Sequence, residues 1–107
     1  MPVYNKLVRD RIPEIIEQSG SKSIVKILDT PEYLVELKNK MHEELEEYKK
    51  AQTDEEAIEE LADILELVYA AARNHGAAPE ELQNVREDKR LKRGGFEKRL
   101  FLIEAED

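Results

Sequence analysis

Residues 31–74 read PEYLVELKNKMHEELEEYKKAQTDEEAIEELADILELVYAAARN, and this stretch decides the fold. At about 100° per residue, Leu34, Leu37, Met41, Leu45 and Tyr48 form one apolar stripe. Ala57, Ile58, Leu61, Ile64, Leu65, Val68, Ala71 and Ala72 form a second, broader one. The spacing predicts two amphipathic helices joined by a short turn. Each carries two acids three residues apart, Glu44 with Glu47 and Glu60 with Asp63, at the margin of its stripe. Residues at this spacing share a helix face. Antiparallel packing therefore brings the pairs together as a cage of four carboxylates, and an oxygen cage suits a hard cation such as magnesium or manganese. A chain with 25 acidic residues places some pairs at this spacing by chance, and an isolated pair reads as a solvated face. Two pairs on consecutive helices, both flanking the apolar stripe, are less ordinary.

Working outward, 107 residues predict one domain, 1–107, with a modest core. A net charge of -8 argues against nucleic acid as a partner, because that role needs a basic stripe. The absence of cysteine excludes disulfides and thiolate metal sites. No apolar run approaches membrane-spanning length and the first residues do not resemble a signal peptide, so a cytoplasmic protein without a membrane partner is expected.

The flanks carry the basic residues. Lys6, Arg9 and Arg11 cluster in YNKLVRDRI, residues 4–12. The simpler reading is an arm docked on the chain's own acidic helices; the functional one is an anion contact. Pro13 opens a short helix to Ser19, ended by Gly20. Residues 24–28, IVKIL, are rich in β-branched side chains and predict a strand. Thr30 is expected to cap the first long helix, with Pro31 in its first turn. Thr53 to Glu56 reads as a capping box for the second, which stops near Asn74 and Gly76. Pro79 starts a last helix to about Lys92. Gly94 and Gly95 then break the chain amid Lys89, Arg90, Lys92, Arg93, Lys98 and Arg99, where backbone N–H groups can approach an anion. Residues 100–103, LFLI, read as a strand that pairs with 24–28. His42 and His75 read as incidental surface or helix-end residues.

At these residues the chain resembles a known family. Glu43, Glu44 and Glu47, followed by Glu60 and Asp63, look like the acid motif of the MazG-type all-α nucleoside triphosphate pyrophosphohydrolases. The two ends, residues 4–13 and 93–96, resemble a subgroup labelled phosphoribosyl-ATP pyrophosphohydrolase-like. The resemblance implies that Glu44, Glu47, Glu60 and Asp63 hold magnesium, or manganese. It implies that Glu43 orients or deprotonates a water attacking the α-phosphorus, which releases a nucleoside monophosphate and pyrophosphate. Lys6, Arg9, Lys92 and Arg93 become candidates for phosphate contacts. Asn74 becomes a candidate for the base or ribose, or else is simply a helix end.

The expectation is a mainly α fold: a helical bundle on an antiparallel pair of long helices, with a small two-stranded β element. A homodimer or dimer of dimers completes it. The expected activity is magnesium-dependent nucleotide pyrophosphohydrolysis. The alternatives are phosphoribosyl-ATP pyrophosphohydrolase of histidine biosynthesis and a non-enzymatic helical assembly module.

Overall fold

Prolines and short polar caps set where the helices begin. The computed structural model describes residues 2–106 and holds four helices: α1 Ile12–Gln18, α2 Thr30–Lys50, α3 Asp54–Asn74 and α4 Pro79–Arg93. Pro13, Pro31 and Pro79 each stand in a first turn, where a missing N–H costs nothing. The cap of α2 is Asp29 rather than Thr30: its Oδ1 accepts from the Glu32 N–H at 2.9 Å, and Thr30 is already helical. Both residue types suit a cap, and Asp29 has the extended backbone that the position demands. At α3, Thr53 Oγ1 accepts from the Glu56 N–H at 3.1 Å. Glu56 reaches back to the N–H of Gln52 at 3.0 Å, one residue before the partner that a capping box uses. Gly76, at φ +84°, lets the chain leave α3 in the left-handed conformation.

Residues 51–53 are too few for anything but a reversal, so α2 and α3 fold back on each other. Their seam centres on Leu37, which is 1% exposed. The helix α4 packs on α3 and on no other helix, and α1 packs on none. Near the start of α4, Gln83 Nε2 donates to the Tyr69 hydroxyl on α3. No described helix is long and apolar enough to cross a membrane.

The expected two-stranded β element is absent among the described residues. Residues 24–28 and 100–103 are irregular, and Ile24, Ile27, Leu100, Phe101, Leu102 and Ile103 stand exposed. β-Branched composition reports how a side chain fits a pleated, half-buried surface. It supplies neither the partner strand nor that surface, and this chain provides neither to these segments.

Part of each apolar stripe also faces outward. Leu45 and Tyr48 on α2, and Ile58, Leu61 and Leu65 on α3, remain exposed while Leu37 fills the seam. The Cα radius of gyration is 18.0 Å, against about 13 Å for a compact chain of this length.

Candidate active site

The hairpin brings three acids together. Glu44 from α2 and Glu60 and Asp63 from α3 each offer an oxygen, and these oxygens lie within 4.8 Å of one another. The arrangement follows from spacing: Glu60 and Asp63 are three apart on one face of α3, and Glu44 projects from the facing helix. The Glu44 side chain is only 12% exposed, so its charge is poorly screened. Crowding shows in the titration of Glu60. Hydrogen bonding to Glu44, helped by burial and by the charges of Glu44, Asp63 and Glu47, raises its pKa from 4.5 to about 7. A group of convergent oxygen donors, crowded even with Arg9 beside Asp63 and Lys40 beside Glu44, is chemically matched to a hard divalent cation. Glu47 stands apart from the trio. It is exposed and lines a side cavity of about 130 Å³ with Lys50, Ala51, Glu56 and Glu60.

Glu43 faces two ammonium groups. Lys6 Nζ lies 3.0 Å from its Oε1 and Lys40 Nζ lies 3.2 Å from the same atom. The hydrogen bond from Lys6, then that from Lys40, holds the Glu43 carboxyl below its ordinary range. Glu43 raises the Lys6 pKa in return. Arg9 Nη2 reaches Asp63 Oδ1 at 2.6 Å. The N-terminal arm is thus docked on its own acidic helices, with one cation on α2 and one on α3. Both pairs are substantially exposed, and such pairs contribute only about 0.2–1 kcal/mol each, so competing ions can displace them.

Between the arm and the hairpin runs a cleft of about 680 Å³. Lys6, Arg9 and Arg11 line it on the arm side, Lys40 and Glu44 on α2, and Asp63 and Arg73 on α3. Its size suits a nucleotide-sized ligand. Neither Lys92 nor Arg93 lines this cleft. They close α4, where Lys92 Nζ pairs with Asp88 at 2.9 Å. Nor does Asn74 line it; its Nδ2 donates to the Ala70 carbonyl at 3.0 Å, which ties the side chain to the end of its own helix.

Two basic residues of the cleft, Lys40 and Arg73, were not singled out from the sequence. The signal for Lys40 was present: a lysine three and four residues before Glu43 and Glu44 shares their face. In a chain with 17 basic residues that spacing alone does not stand out.

Geometry comes first: a helical hairpin whose three convergent acids could hold a cation, beside a cleft that basic groups help to line. Comparison with known proteins then supplies the family. The model described as phosphoribosyl-ATP pyrophosphohydrolase matches residues 4–89, and the chain belongs to that family, within the MazG-like all-α nucleoside triphosphate pyrophosphohydrolase superfamily. Over 54 residues the chain is 43% identical to an uncharacterized protein of Mycolicibacterium smegmatis; the match covers 50% of this chain and 55% of that relative. The chain thus spans about half the length of the curated relative it matches. No solved structure matches it.

The titration of Glu60 makes a prediction. Its folded pKa, about 7, lies above the ordinary 4.5, so the metal-free fold binds this proton more tightly than the unfolded chain does. The associated stability is fully present below about 4.5 and is lost as pH rises through about 7. A divalent cation competes with the same proton. The rise in melting temperature caused by magnesium should therefore be larger at pH 8 than at pH 6, and Glu60→Gln should flatten the difference. Differential scanning fluorimetry across that range checks it.

Proposed function

We propose that this chain is a magnesium-dependent nucleotide pyrophosphohydrolase that cleaves the α–β phosphate bond of a nucleoside triphosphate or related nucleotide. The observation that carries the reading is the convergence of Glu44, Glu60 and Asp63 across the hairpin, beside a cleft that shares Glu44 and Asp63 with the cations of the arm. Glu44, Glu60 and Asp63 hold the ion, and Glu47, beside Glu60, is the fourth acid of the set. A bound divalent ion neutralises phosphate oxygens and lowers the pKa of water. Glu43, held between Lys6 and Lys40, orients the attacking water and accepts its proton.

The acids and the phosphates are both negative, so cations of the protein must hold the substrate. Lys6 and Arg9 exchange their weak pairs with Glu43 and Asp63 for phosphate oxygens. Arg9→Ala should lower kcat/KM by about tenfold to a hundredfold while the metal-induced thermal shift survives, as steady-state kinetics and fluorimetry on the same preparation will show. Lys92 and Arg93, which lie outside the cleft, are further candidates for phosphate contacts, and Asn74 for the base or ribose. Arg93→Ala separates that role from a plain helix end.

A second reading has one specific finding in its favour. The matching family is described as phosphoribosyl-ATP pyrophosphohydrolase, which makes the histidine-biosynthesis substrate a named alternative. A screen of nucleoside triphosphates and phosphoribosyl-ATP, reading pyrophosphate release with and without magnesium, tests both. Release from a triphosphate supports the first reading and release from phosphoribosyl-ATP alone supports the second; no release from any of them refutes both.

A further inference from the structure

Among the cations near the acid cluster, one differs from the rest in its setting. Lys6 and Arg9 reach the acids from an exposed arm, with side chains 42% and 59% exposed. Lys40 stands on α2 itself, and its side chain is 17% exposed. Its Nζ lies 3.2 Å from Glu43 Oε1 and 3.4 Å from Glu44 Oε1. One half-buried ammonium therefore bridges the candidate base and a candidate metal ligand, and both spacings, i to i+3 and i to i+4, are fixed by the helix.

We propose that Lys40 is a positioning residue for the reaction: it holds Glu43 in place while Glu44 is committed to the metal. This rests on the function proposed above. When the arm turns its cations to the phosphates, Glu43 loses Lys6. The exposed pair is weak and releases easily, whereas Lys40 is short-tethered, less screened and on the same helix, so it stays. A water-orienting carboxylate that drifts by an ångström forfeits much of the advantage of proximity. Lys40 also places a positive charge beside Glu44, which works against a second cation there. The residue thus trades metal affinity for an ordered base, and its removal should move the two properties in opposite directions.

Lys40→Met keeps the aliphatic stem and removes the charge. In calorimetric titrations of the full chain with Mn²⁺ alone, the variant should bind the ion several-fold more tightly than the wild type. In steady-state assays its kcat should fall by about tenfold or more while KM stays within about twofold. Lys40→Arg, which keeps the charge and guards against a folding defect in the first variant, should retain near-wild-type Mn²⁺ affinity and recover part of kcat. A merely structural lysine would lower metal affinity, kcat and melting temperature together, and that outcome overturns the proposal. Unchanged kcat in a Lys40→Met protein, beside a wild type that binds Mn²⁺ and releases pyrophosphate, overturns the Lys40 assignment alone. A wild type that binds no Mn²⁺ overturns this assignment and the metal-dependent function together.

Discussion

Glu60→Gln and Asp63→Asn should each reduce pyrophosphate release by roughly a hundredfold or more, because each removes a charged donor from a cluster that has only three convergent acids. The two substitutions preserve shape and hydrogen-bonding size, so a loss of activity reports charge rather than packing. The metal-free melting temperature should stay the same or rise in Glu60→Gln, which relieves the repulsion around that position, and should change little in Asp63→Asn, where the relief is offset by a weaker pair with Arg9. Stabilisation by magnesium should largely vanish in both. Glu47→Gln makes a useful contrast: its side chain stands outside the trio, so its effect should be the smaller one. Variants that still respond to magnesium as the wild type does would show that the acids are a solvated face, as expected of a non-enzymatic assembly module.

The second large effect concerns assembly. The chain exposes 9804 Å², whereas a compact monomer of 12.4 kDa exposes about 6,100 Å². Leu37 is the only apolar residue fully buried among the described residues, which is far too small a core for an independent domain. The excess per chain is larger than what one partner of a typical obligate dimer buries, so extensive association is expected. Part of this excess is the outward stripe of α3, with Ile58 at 65%, Leu61 at 41% and Leu65 at 49% exposure; the irregular segments add more, with Ile27, Phe101 and Ile103 almost wholly exposed. A homodimer or dimer of dimers that covers this stripe is therefore expected. Leu61→Asp with Leu65→Asp should leave an unfolded or aggregated chain rather than a folded monomer, because folding and association draw on the same surface. Sedimentation at micromolar concentration together with far-ultraviolet circular dichroism reads both; a well-folded wild-type monomer would contradict the expectation.

The helices were legible because their signals are local. Pro31, Thr53, Gly76 and Pro79 mark ends through backbone chemistry that needs no tertiary partner, and the 3.6-residue period marks the faces. The acids of α3 were legible for the same reason. Other features depend on what lies opposite. Glu47 has the same spacing from Glu44 as Asp63 has from Glu60, yet it falls outside the cluster, because the way two helices cross is not written in either one alone. Residues 24–28 and 100–103 carry strand composition, but composition does not supply a neighbour. Lys40 carries only a common helical spacing from Glu43 and Glu44, and its half-burial becomes visible only in the folded chain. In the arm, the simpler reading of Lys6 and Arg9, docking on the chain's own acids, is the one seen.

The most direct test of the central claim is phosphorus NMR of the products formed from a cleaved nucleotide in ¹⁸O-labelled water with magnesium present. Attack at the α-phosphorus puts the label in the nucleoside monophosphate and leaves the pyrophosphate unlabelled, with no reaction from Glu60→Gln protein. Orthophosphate as the product, label in the pyrophosphate, or undiminished turnover by the Glu60→Gln variant would contradict it.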